Sequence, residues 1–110
     1  MLTGKFRLSP NCFFNLDSQV IERNGQELEL SDIEYRILLA LVHHVNEPMT
    51  TNVLIESIWG TQMIGKKENL FNCIHRLRNH IGDRHLIMTL HGYGYMLHTK
   101  SIKTDDIKSI

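Results

Sequence analysis

The first thirty residues alternate short apolar runs with turn formers. Lys5 to Leu8 gives way to Ser9-Pro10-Asn11, Cys12 to Leu16 to Asp17-Ser18, and Val20-Ile21 to Asn24-Gly25 ahead of Leu28 to Leu30. Asn-Gly between two such runs is the strongest short hairpin signal, because both residues tolerate the positive φ of a type I′ turn. The segment predicts a small antiparallel sheet, against the alternative of an irregular N-terminal arm.

From Ser31 the apolar period lengthens to that of a helix. Ser31 is placed to cap it, Glu34 to reach back as the capping-box partner, and Leu30 and Tyr35 to form a hydrophobic staple. Ile33, Ile37, Leu38, Leu41 and Val45 recur at helical spacing up to Asn46-Glu47-Pro48, which predicts about four turns. Thr50 can cap a second, shorter helix through Val53, Leu54, Ile55, Ile58 and Trp59, ended by Gly60 as a left-handed residue. After the loop from Gly60 to Gly65, a third helix is expected from Lys66 to Ile81, with Gly82 closing it. Leu86 to Leu90, the turn His91-Gly92-Tyr93-Gly94, and Tyr95 to His98 read as a second hairpin. The order of sheet, three helices and hairpin describes one α+β domain over residues 1–99. Residues 100–110, polar and charged with scattered isoleucines, read as a tail or linker.

Composition narrows the class. A chain of 110 residues with 42% hydrophobic content has the length and apolar share of one globular domain. The longest apolar run, Ile37 to Val42, is too short to cross a bilayer, and Met1 to Arg7 lacks the apolar stretch of a signal peptide. Cys12 and Cys73 are too few and too far apart for a disulfide framework or a zinc site, so both read as reduced and the compartment as the cytoplasm. The formal net charge is zero, yet residues 1–60 sum to −4 and residues 61–110 to +4. A basic second half is compatible with phosphate binding.

The seven histidines do not fall into a metal-binding pattern. His43 and His44 are adjacent and point in different directions on a helix, while His75 and His80 miss the spacing of three or four that shares a face. A nucleophile elbow, a P-loop and paired carboxylates in a glycine-rich setting are all lacking, which argues against an enzyme and against a cofactor.

On a helical wheel of about 100° per residue, Leu70, Ile74, Leu77 and Ile81 form the core stripe of the third helix. The far side carries Asn69, Asn72, His75, Arg76 and Asn79, with Glu68 nearby, and Lys66, Lys67 and Arg78 lie toward the flanks. Asparagine is a poor helix former, so three on one exposed face are costly unless their amides are used. Asn and Arg suit adenine and guanine edges in the major groove, and flanking Lys and Arg suit phosphates. A merely solvated face is the alternative. A basic helix followed by a glycine-turned ribbon favours a DNA grip.

Four segments together resemble the OmpR/PhoB-type winged helix-turn-helix domains of bacterial regulators, and the likeness spans nearly all of residues 5–98. They are Leu30 to Leu38, Leu54 to Gly60, Ile74 to Arg78, and Ile87 to Tyr95. The resemblance implies an N-terminal four-stranded antiparallel sheet, a three-helix core and a C-terminal β-hairpin wing. It implies double-stranded promoter DNA as partner, with the third helix in the major groove and the wing on the adjacent backbone or minor groove. Arg76 and Arg78 match the family's basic pair, Thr89 and His91 match wing positions that touch DNA, and Tyr93 lies in the wing turn with them. Gly92, Gly94 and Tyr95 match the wing glycines and the aromatic beneath, and Trp59 the core aromatic of the second helix.

Glu68, Phe71 and Cys73 depart from the family pattern, so its base preference does not transfer. Phe71 reads as core, as a thymine-methyl contact or as a partner contact. The Gly60 to Gly65 loop matches one that often meets RNA polymerase in this family. Head-to-tail pairing on DNA is a further family expectation. The layout, with no receiver ahead of the module, resembles ToxR- and CadC-like regulators and suggests the cytoplasmic part of an inner-membrane-anchored protein or a short stand-alone regulator. A winged helix used only for protein-protein contact is the rival reading.

Overall fold

Cross-strand pairing gathers the apolar alternation of the N-terminal segment into one row. The computed structural model describes residues 2–60, 66–99 and 108–109. After a two-residue strand, β1 (Leu2–Thr3), come β2 (Lys5–Ser9), β3 (Cys12–Asn15), β4 (Val20–Arg23) and β5 (Gln26–Glu29), the last four forming an antiparallel sheet in that order. Phe6 pairs with Phe14, Phe14 with Ile21 and Ile21 with Leu28. Side chains alternate faces along a strand, so this register buries Phe6, Leu8, Cys12, Phe14 and Ile21 together. The Asn24-Gly25 turn has φ of 51° and 81° and joins strands paired directly at Arg23 and Gln26, the two-residue hairpin that the sequence predicts.

Helix α1 (Asp32–His43) begins with the expected capping box: the Glu34 N–H donates to Ser31 Oγ at 3.2 Å and the Ser31 N–H donates to Glu34 Oε1 at 2.9 Å. Its end comes earlier than expected. Val45 lies outside the helix, which has 12 residues, or about three turns. Asn46 adopts φ of 61°, its N–H donates to Leu97 O at 2.7 Å, and its side chain bonds both the N–H and the carbonyl of Thr99. Those long-range bonds recruit Asn46 to the far end of the hairpin and halt the helix before proline does.

A two-residue strand that sequence reasoning did not foresee, β6 (Met49–Thr50), leads into α2 (Thr51–Trp59), and the Val53 N–H donates to Thr50 Oγ1 at 3.1 Å as the cap predicts. Gly60 ends α2 with positive φ, 78°, its N–H bonded to Glu56 O. Helix α3 (Lys66–Ile81) has the expected bounds, and Gly82 follows it. Strands β7 (Ile87–Leu90) and β8 (Gly94–Leu97) form the hairpin, and β6 pairs with β8, so the wing sheet is three-stranded in the order β6-β8-β7. Residues Lys108–Ser109 pair as β9 with β1; the rest of the expected tail, and residues 61–65 of the loop, lie outside the described residues.

The helices and both sheets share one core, in which Ile37, Leu38, Leu54, Leu70, Ile74 and Leu77 are fully buried. The predicted stripe of α3 is the buried one, with Cys73 added to it. Arg23 ties the N-terminal sheet to α3 by donating through Nη1 to Asn79 O and His80 O at 3.3 and 3.1 Å, where a cation suits the negative end of the helix. Among the described residues, no helix is long and apolar enough to cross a membrane.

Candidate nucleic-acid interface

Burying Leu70, Cys73, Ile74, Leu77 and Ile81 forces the remainder of α3 outward. Lys67, Glu68, Asn69, Asn72, His75, Arg76 and Asn79 are exposed, as the wheel predicts, while Lys66 and Arg78 are half-buried. The amides of Asn69 and Asn72 make no hydrogen bond within the protein among the described residues, so their donors and acceptors face solvent.

The two predicted arginines are held in different ways. Arg76 Nε donates to Glu34 Oε2 at 3.4 Å and Nη2 approaches Cys73 Sγ at 3.0 Å, yet the side chain stays 55% exposed. Glu34 is 3% exposed and bonds its own helix start through Oε1, so one carboxylate joins the cap of α1 to the outer face of α3. His80 Nδ1 lies 3.9 Å from the same Oε2 and, though buried, has no hydrogen-bond partner among the described residues. Arg78 turns to the wing: Nε and Nη2 donate to Ile87 O at 3.1 and 2.6 Å, and Nη2 also to Thr89 Oγ1 at 2.8 Å. A planar fork bonded at three points fixes the angle between helix and wing.

The wing turn stands beside α3. His91 and Tyr93 are exposed, and Tyr93 O accepts the Thr51 N–H at 3.1 Å, which anchors the turn to the start of α2. A cleft of about 400 Å³ opens between them, lined by Lys67 from α3, Thr51 and Asn52 from α2, and Thr89, His91 and Tyr93 from the wing. Lys66 stands apart, its Nζ 5.5 Å from the centroid of the Trp59 ring. The predicted residues therefore fall into two groups, Asn69, Asn72, His75, Arg76 and Asn79 along the exposed face of the helix, and Lys67 with the three wing residues around the cleft on the flank of α3 toward the wing, while Lys66 and Arg78 are held against Trp59 and the wing.

Glu34, Thr51 and Asn52 belong to this site and were missed. Glu34 was legible only as a capping residue, because its second partner lies 42 positions away. Burial holds both thiols in their neutral form, pushing Cys12 up to about 11 and raising Cys73, with Arg76 opposing the shift at Cys73.

Residues 25–97 match the family described as "Transcriptional regulatory protein, C terminal". The chain belongs to this family. Its fold is shared with the DNA-binding domain of RstA from Klebsiella pneumoniae, solved in complex with the RstA box, at 18% identity and a TM-score of 0.72 over 86% of this chain and 96% of that one. The DNA-binding domain of CadC from E. coli is 22% identical with a TM-score of 0.72, covering 88% and 94%. The response regulator DrrB of Thermotoga maritima, an OmpR/PhoB homologue, is 23% identical with a TM-score of 0.76, covering 87% of this chain and 45% of that protein. At these identities the likeness is one of fold. Within the family fold, the third helix and the wing of this regulator domain are α3 and the β7–β8 hairpin.

Proposed function

We propose that this domain binds double-stranded promoter DNA in a sequence-specific manner, with α3 in the major groove and the wing turn on the adjacent backbone or minor groove. The observation that carries this reading is the exposed polar face of α3, where the Asn69 and Asn72 amides face solvent, flanked by the polar wing cleft that the Arg78 bonds hold beside the helix. A helix fits the major groove in width, and a neighbouring ribbon then falls over the sugar-phosphate chain. Asn69, Asn72 and Arg76 are the proposed base readers, with His75 and Asn79 on the same face. Lys66, Lys67, Thr89, His91 and Tyr93 are proposed to contact the backbone, and Arg78 to present Nη1 to a phosphate while its other nitrogens hold the wing. A protein-only module would present an apolar face here, whereas Phe71 is the one large apolar side chain exposed on α3 among the described residues.

Selection of bound duplexes from a random library, followed by titration of the enriched site and of random DNA, tests the assignment. Arg76→Ala should lose about 1 to 3 kcal/mol on the selected site and relax the base preference at one position. Equal losses on both DNAs would move Arg76 to the backbone set.

Association follows from the small reading surface. A lone module buries on the order of 600 to 1,000 Å² on DNA, too little for it to find one promoter, and pairing on DNA makes the second binding step effectively intramolecular. We expect a monomer in solution and head-to-tail pairs on direct repeats about one helical turn apart. Sedimentation with and without a two-site duplex decides this: a stable dimer without DNA, or strict one-to-one binding on that duplex, would contradict it. RNA polymerase is the proposed partner of the Gly60 to Gly65 segment.

A further inference from the structure

Phe71 is not core. At 59% exposure it is barer than Val53, Tyr93 or Met88, the other exposed large apolar side chains among the described residues. Of the three readings its sequence position allows, two survive, a base contact and a protein contact.

Its surroundings discriminate between them. On the wheel, Phe71 lies between the core stripe and the base-reading face, with Lys67 one turn before it, His75 one turn after it and Arg78 two turns after it. Lys67 lines the wing cleft and Arg78 is bonded to Thr89, so Phe71 is on the flank of α3 that looks toward the wing. Lys67 and Glu68 both stand one turn before Phe71 and are exposed, so a partner's apolar surface seated on Phe71 would have to strip two charges of water. A single apolar side chain in such polar surroundings suits an isolated apolar spot within a polar groove. The major groove offers one such spot, the 5-methyl of thymine, which distinguishes an A·T from a G·C pair by apolar contact. Asn72, the next residue and about 100° around the helix, suits the N6 and N7 of adenine, so both side chains point to A·T pairs at neighbouring steps.

We propose that Phe71 reads the methyl group of a thymine in the major groove and thereby sets part of the site preference of this domain. The inference rests on the proposed placement of α3 in DNA and deepens it.

The experiment replaces the thymines of the selected duplex one at a time with deoxyuridine, which removes the methyl and nothing else. One replacement per half-site should weaken binding of the native domain about threefold to fivefold, the worth of one buried methyl group. F71A, altered only at an exposed position, should melt like the parent, bind the thymine duplex more weakly by a similar factor, and no longer sense that replacement. F71L, which keeps an apolar side chain, should retain part of the preference. If F71A responds to deoxyuridine as the native domain does, or binds the thymine duplex as tightly, the proposal is overturned. Unchanged DNA binding by F71A with loss of binding to purified RNA polymerase would overturn it in favour of a protein contact. A native domain that enriches no sequence would instead sink the DNA-reading function itself.

Discussion

Gly94→Ala is expected to melt roughly 15 °C below the parent domain, the shift that about 3 kcal/mol produces in a domain of this size. The cause is space. Gly94 opens β8 and is paired on one side with Leu90 and on the other with Thr50. A Cβ added there would run into the carbonyl oxygen of Met49 and come within 2.8 Å of Thr51 N. Both are backbone atoms, so no flexible side chain can swing aside. The strand β6 would have to withdraw from β8, and with it the Thr50 cap of α2 and the Thr51 bond to the wing turn. DNA affinity should fall with stability, because the cleft between Lys67 and the wing is built on that pairing. Thermal melts of the alanine variant check this, and a transition at the parent's temperature would show that β6 is not packed against Gly94 as described.

Leu77→Ala should cost about 2 to 5 kcal/mol, most of it from the cavity left in a core that relaxes only in part. Leu77 is fully buried on α3 together with Leu70 and Ile74. Its chain neighbours Arg76 and Arg78 bond to opposite sides, one to α1 and one to the wing. Loss of the Leu77 side chain therefore loosens the hold that aims both arginines. Chemical denaturation should show a lower midpoint with an unchanged slope. Parent-like stability combined with lost DNA binding would mean that Leu77 faces the DNA and that the helix phase is wrong.

What could be read from the sequence shares one property: the interactions that decide it span few residues. The Asn24-Gly25 hairpin, the Ser31 capping box, the Thr50 cap and the bounds of α3 each depend on partners within about one turn, and each stands in the structure as expected. The outward face of α3 was legible for the same reason, since periodicity alone separates Asn69, Asn72 and Arg76 from Leu70, Ile74 and Leu77.

The early end of α1 was not legible, because Asn46 leaves the helix to bond Leu97 and Thr99, about fifty residues away. Nor was β6, a two-residue strand with no pattern of its own that exists only because β8 offers it an edge. The different settings of Arg76 and Arg78 likewise follow from which elements lie beside α3. Arg76 meets the buried Glu34 of α1, and Arg78 meets the Ile87 carbonyl of the wing. By itself, the sequence determined the elements, their caps and which residues of α3 turn outward, because hydrogen bonds and apolar contacts within one helical turn settle those. Only the tertiary structure decided the wing angle, the holding of each arginine and the exposure of Phe71, because these depend on contacts between segments that packing alone brings together.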